Sequence, residues 1–155
     1  MGHSPWLKEW NDIIRNVFFP DEELKTLMEV PAGTNIITFI DKYFIRAGFT
    51  SEVLTNEPVR VIYGTLSSWE TNNPHVTSNT MTFDIYVKTH ELHNVGTDRL
   101  LYRTDLIADR IKQLLLKSHF VADTGYHFVL AGEADLGTSV IGYSRKNVSF
   151  DYMKT

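Results

Sequence analysis

Apolar residues recur at helical spacing most clearly in the segment 97–118, TDRLLYRTDLIADRIKQLLLKS. Spacings of three and four residues predict an amphipathic helix, which Thr97 or Asp98 would cap. The opposite face carries polar residues and the two apolar side chains Tyr102 and Leu116, which are candidates for a surface that binds a partner. The predicted buried stripe is Leu100, Thr104, Ile107, Ala108, Ile111, Leu114 and Leu115, and the predicted outer face is Tyr102, Asp105, Asp109 and Leu116.

The first 48 residues show the same period and are predicted to be helical. Ser4 and Pro5 are typical of a helix start and favour a first helix over 4–18. Asp21 can cap a short second helix, and Thr34 or Asn35 can cap a third. The predicted inner faces are Trp6, Trp10, Ile13, Ile14 and Val17 in the first helix, and Ile36, Ile40, Tyr43 and Phe44 in the third.

From residue 58 the period changes to the alternation that is typical of strands. Strands are predicted at 58–66, 81–90, 125–132 and 140–154, and in the second of them Met81, Phe83, Ile85 and Val87 share one side. With the long helix between the second and third strands, the order predicts an α+β fold. We expect a mostly antiparallel four-stranded sheet (β-β-α-β-β) with the long helix packed across it. The chain is predicted to form a single domain over 1–155, with 1–48 as a helical extension and 58–154 as the sheet–helix core.

A polar segment, SSWETNNPHVTSNT at 67–80, separates the first two predicted strands and is long for a hairpin loop. Trp69 lies in it where no apolar stripe explains a tryptophan. One interpretation makes Trp69 an anchor at a protein interface, and the other folds it back onto its own domain. The candidate interface residues of this segment are Trp69, Glu70, Asn72, Asn73 and His75.

Composition narrows the classes of function. The net charge is −4, from 15 Lys+Arg and 19 Asp+Glu, and no basic tract occurs. Clustered cations of the kind that neutralise DNA phosphates are therefore missing, and we expect no tight binding of nucleic acid. The chain has no cysteine, which excludes thiolate metal sites and thiol nucleophiles. No apolar run reaches the ~20 residues that a membrane helix needs, so no membrane partner is expected.

The histidines are the main candidates for catalytic chemistry. His90 and His93 lie three residues apart around Glu91 and could bind zinc together with His75 or Glu91, because imidazole and carboxylate are both zinc ligands. A helical HExxH motif spaces its histidines by four, whereas this pair follows a strand and precedes Asn94 and Gly96. The alternative interpretation is two solvated histidines in a turn, or at a subunit contact.

Other catalytic signals are isolated. Glu133 and Asp135 could form a carboxylate pair or a Mg²⁺ site, and otherwise they belong to a solvated turn over 133–139. Both are also counted among the candidate interface residues. No G-x-S-x-G elbow and no phosphate-binding loop occurs in the sequence. We therefore predict a non-enzymatic protein without metal or cofactor.

Three segments together carry a resemblance to a known family. They are TFDIYVKTHELHN, DRLLYRTDLIADRIKQLLL and the closing IGYSRKNVSFDYMK. Their order resembles that of tail-terminator (tail-completion, or tail-to-head joining) proteins of tailed bacteriophages. The stretch from PAGTNIITFIDKYFIRAG to EVLTNEPVRVIYG is similar to the N-terminal half of such neck proteins. The resemblance covers most of residues 30–154.

The resemblance implies a structural protein of the virion, located at the tail–neck junction after assembly in the host bacterial cytoplasm. Its implied partners are copies of itself in a hexameric ring, the tail tube protein and the neck or head-completion proteins. Genome DNA would pass through the ring without tight binding. A head-completion or stopper role in the same neck is an alternative, and a small metal-dependent hydrolase using His75, His90, Glu91 and His93 is another.

Overall fold

The structure, a computed structural model, describes residues 11–46, 57–69, 77–92, 101–117, 126–140 and 142–154. Its strands are β1 (Phe44–Arg46), β2 (Val59–Trp69), β3 (Thr77–Lys88), β4 (Tyr126–Val140) and β5 (Tyr143–Lys154). They form one sheet in the order β1-β2-β3-β5-β4. β1 runs parallel to β2, and the other neighbouring pairs are antiparallel.

Short helical segments precede the sheet, and one long helix crosses it. The helical segments are α1 (Ile14–Phe18, a π-helical turn), α2 (Glu22–Leu27), α3 (Ile36–Thr38, which continues as a π-helical turn over Phe39–Tyr43) and α4 (Arg103–Lys117). A 3-10 turn, Thr89–Glu91, follows β3. The side chains of Asp21 and Asn35 accept hydrogen bonds from backbone N–H groups at the starts of α2 and α3, as N-caps do.

The core lies between one face of the sheet and the helices. Phe44 stacks on Phe18 at 4.8 Å between ring centroids and lies 6.0 Å from Phe83, so an aromatic cluster joins β1 and β3 to α1. Alternation predicted the inner face of β3 correctly, because its members are all buried: Met81, Phe83, Ile85 and Val87. The α4 stripe is also confirmed where it is described, with Thr104, Ile107, Ala108, Ile111 and Leu115 buried and Leu114 packed against them.

The α+β class is confirmed, but the predicted four-stranded sheet is wrong. Within the described residues the sheet has five strands and is mixed, because Phe44–Arg46 forms β1 beside β2 rather than the end of a helix. Three residues are too few to show a period of two, so the contact with β2 decides their conformation. Of the predicted first helix, residues 11–18 are helical, and Trp6 and Trp10 lie outside the described residues.

The predicted start of the long helix is also wrong. Leu101 and Tyr102 are not helical, and α4 begins at Arg103; the predicted caps Thr97 and Asp98 lie outside the described residues. The guanidinium of Arg103 donates hydrogen bonds to the carbonyl oxygens of Leu27 (2.7 Å) and Glu91 (3.2 Å). The helix therefore starts where a buried arginine binds the end of α2 and the 3-10 turn.

Candidate assembly surface

Strand β4 forms one edge of the sheet and is exposed along most of its length. Between residues 127 and 137, Phe128 and the side chain of Glu133 are partly covered, and the other residues are exposed. Exposed edges are usually protected by lysine, proline or bulges, because their free backbone groups can pair with another chain. No Lys, Arg or Pro occurs in 126–140. Three large apolar side chains are exposed there, namely Val129 (58%), Leu130 and Leu136.

Bulges are the protection that β4 does have. Its pairing with β5 shifts register between Leu130 and Gly132, between Asp135 and Gly137, and between Gly137 and Val140. Gly137 has φ +56°, a backbone conformation that glycine adopts without the steric cost of a Cβ. The predicted turn over 133–139 is therefore wrong, because these residues belong to a bulged strand.

A buried lysine lies beside the two predicted carboxylates of β4. The Nζ of Lys146, whose side chain is only 8% exposed, lies 3.2 Å from Glu133 and 3.3 Å from Asp135. It also lies 2.8 Å from Asp105 of α4, while Lys112 of α4 lies 3.0 Å from Glu133. We call these five residues the Lys146 cluster. It joins α4, β4 and β5 through charge-assisted hydrogen bonds.

Contacts within the cluster favour the charged forms of Lys146 and Glu133. Burial by itself would lower the pKa of Lys146, but hydrogen bonds to Asp105 and Glu133 outweigh it and raise that pKa above its ordinary value. Burial would likewise raise the pKa of Glu133, but hydrogen bonds from Lys112 and Lys146 bring it below its ordinary value. Charges fixed in this way suit a structural clamp better than proton transfer near neutral pH.

A second polar network lies on the other face of the sheet, across β3 and β5. Asp84 accepts hydrogen bonds of 2.9 Å from both Arg145 and Asn147, and Asn147 accepts one of 3.0 Å from Ser149. The guanidinium of Arg145 also lies over the ring of Tyr86, 5.6 Å from its centroid. The network fixes the side chains of two neighbouring strands against each other.

The sequence missed Lys146, Arg145 and Asp84 as organising residues. The spacing of the last strand could have identified Lys146. It lies two residues before Val148 and therefore on the same face as Val148, Phe150 and Tyr152, where a charged residue is unusual because that face is buried. Asp105 was predicted on the exposed face of the long helix. That prediction is wrong, because its carboxylate turns to Lys146.

The predicted interface residues are spread over the molecule. Tyr102, which immediately precedes α4, and Leu116, in the last turn of α4, are both exposed. Trp69 lies within β2, paired with Ser78, so the predicted fourteen-residue loop is much shorter than expected. The structure leaves Glu70, Asn72, Asn73, His75 and His93 outside its described residues.

His90 lies on the 3-10 turn after β3, and its imidazole is largely exposed. The Nε2 atom of His90 lies 3.5 Å from a carboxylate oxygen of Glu91. In the described ranges, no group of three His, Cys, Asp or Glu side chains is arranged to hold a metal ion. Of the residues proposed to bind zinc, His90 and Glu91 are the two that lie within the described part of the chain.

None of the helices in the described part of the chain is long and apolar enough to span a membrane. The chain matches no curated protein. The model of the YomW family matches residues 11–135, from the first helical segment into β4. That family is named after a phage-like gene of a Bacillus prophage. The match covers most of the chain, which therefore belongs to the YomW family.

Proposed function

We propose that this protein is a structural virion protein of a tailed phage, a ring-forming tail terminator that caps the tail tube and joins it to the neck. Membership of a family named after a phage-like gene carries the proposal. The order of strands and helix resembles that of tail terminators. This resemblance favours a neck protein among the possible kinds of phage protein.

The exposed edge of the sheet supports a protein that assembles. Strand β4 has fifteen residues, three exposed apolar side chains and no lysine or proline, so its bulges carry most of its protection against pairing. A subunit of a ring needs such a surface, because each copy must offer an adhesive face to its neighbour. The partners in this proposal are further copies of the chain, the tail tube protein and a neck or head-completion protein.

The first experiment measures self-association of the purified protein. Native mass spectrometry and negative-stain electron microscopy should find closed rings, with the hexamer as the expected species. A protein that stays monomeric up to ~100 μM, well above the Kd of a specific interface, would overturn the proposal.

The second experiment removes the gene from the phage or prophage and examines the particles by electron microscopy. Tails of uncontrolled length are expected, since a tube without its terminator continues to grow. Tails of normal length beside heads that lose their DNA would instead indicate a head-completion protein.

A further inference from the structure

We propose that the two opposite edges of the sheet bind each other between neighbouring copies, with β4 of one subunit receiving the β1 side of the next. This inference rests on the proposed ring and names the two surfaces that would form it. A contact between two different surfaces is heterologous, and repeated copies of it close into a ring when the rotation permits.

The β4 edge carries an excess of negative charge. The Lys146 cluster contains three carboxylates, Asp105, Glu133 and Asp135, and two ammonium groups, Lys112 and Lys146, so one negative charge remains. Asp135 is the most exposed of the carboxylates, with 69% of its side chain accessible. The uncompensated charge therefore lies at the surface of the edge strand.

The β1 edge carries an excess of positive charge. Arg46 ends β1 and is exposed, and Lys42 in the preceding turn has 57% of its side chain accessible. Arg60 lies beneath this edge and donates a hydrogen bond of 3.0 Å to the carbonyl oxygen of Lys42. The same region holds two carboxylates: Asp41 belongs to the turn that contains Lys42, and Glu57 lies 3.8 Å from Lys42. One positive charge remains among these described residues.

Opposite charges at opposite edges favour one arrangement of two copies. Pairing β4 with β1 brings the positive and negative surfaces together and guides their encounter. Pairing β4 with β4 would place two negative edges side by side, and like charges in contact oppose association. A second copy of this chain, bound head to tail, is thus the occupant that the charges favour.

Charge reversal tests the assignment. Arg46→Glu and Asp135→Arg should each weaken assembly at least ~10-fold in Kd, and the chain that carries both changes should recover to within ~3-fold of the unmodified protein. Sedimentation velocity over a concentration series gives the Kd values. Glu22→Arg, on an exposed position of α2, is the matched control and should leave assembly unchanged.

The outcomes separate this inference from the proposed function. Rings that form equally well with Arg46→Glu, Asp135→Arg and Glu22→Arg would overturn the edge assignment and leave the ring intact. A closed dimer that survives Arg46→Glu and is lost with Val129→Lys would indicate β4–β4 pairing, which also overturns it. Absence of any oligomer in the unmodified protein would overturn the proposed function itself. Arg46→Glu does not touch the Lys146 cluster, and circular dichroism verifies that each variant is folded.

Discussion

At the scale of single residues, Asp21 caps α2 and also binds Arg110 of α4. Its carboxylate accepts a hydrogen bond of 2.9 Å from the N–H of Leu24 and one of 2.8 Å from Nε of Arg110. Burial alone would raise the pKa of Asp21, but the hydrogen bonds from Arg110 and Leu24 bring it below its ordinary value. The charged form is thus stabilised by folding.

Asp21→Asn should therefore destabilise the protein in a pH-dependent way. Asn retains the capping oxygen but removes the charge, so the free energy of unfolding should fall by about 1–2 kcal/mol at pH 7. The pKa of Asp21 is lower in the folded state than in the unfolded state, where it is about 3.9. The charge of Asp21 therefore stabilises the fold above pH ~3.9, and this stabilisation is lost as the pH falls through the folded pKa. Urea denaturation should show the difference between variant and unmodified protein narrowing as the pH is lowered from 5 towards 2.

Glu23→Gln is the control for this prediction. Glu23 lies 3.1 Å from the same arginine, but 63% of its side chain is exposed. Solvent screens such a pair, and the expected loss is below about 0.5 kcal/mol. If Glu23→Gln lowered the free energy of unfolding as much as Asp21→Asn does, the buried Asp21–Arg110 pair would not be the stronger of the two interactions.

At the scale of elements, the Lys146 cluster attaches α4 to the bulged half of β4. Lys146→Met keeps the length of the side chain but removes the positive charge between three carboxylates. The expected loss is about 2–3 kcal/mol at pH 7, measured by urea denaturation. The pKa of Glu133 lies below its ordinary value of 4.5 in the folded protein, so the stabilisation from its pairing is present above that value and is lost as the pH falls through the folded pKa. The loss caused by Lys146→Met should therefore shrink as the pH is lowered below about 4.5.

Lys112→Met tests whether position in the cluster matters. Lys112 contacts one carboxylate of the cluster, that of Glu133. Lys146 contacts three carboxylates. We expect its loss to cost below about 1 kcal/mol. Equal destabilisation by the two changes would refute a central role for Lys146.

At the scale of the whole molecule, the net charge of −4 opposes contact with DNA. The proposed ring, built from subunits with this charge, should let DNA pass without holding it. We expect no retardation of double-stranded DNA in a gel-shift assay at protein concentrations up to ~100 μM, a range in which proteins that bind DNA non-specifically are already bound. Retardation that disappears with added salt would instead indicate a basic surface formed on assembly.

The predictable parts of the molecule are those in which a period extends over many residues. The alternation of β3 and the helical stripe of α4 suffice to identify Phe83, Ile107 and Ile111 as core residues, and all three are fully buried. Capping by Asp21 was also readable, because the acceptor and donor lie three residues apart. The ion pair between Asp21 and Arg110 could not be predicted from the sequence, because the two residues lie 89 positions apart in the chain.

By itself, the sequence determined the α+β class, the inner faces of β3 and α4, and an acidic chain without cysteine, because these depend on local period and composition. Tertiary structure alone decided that Phe44–Arg46 forms a strand, that α4 starts at Arg103, and that 133–139 extends β4. It also decided that Glu133, Asp135 and Asp105 meet at Lys146. Each of these depends on a contact between distant segments, and the free energy of that contact outweighs the weak local preference of a few residues.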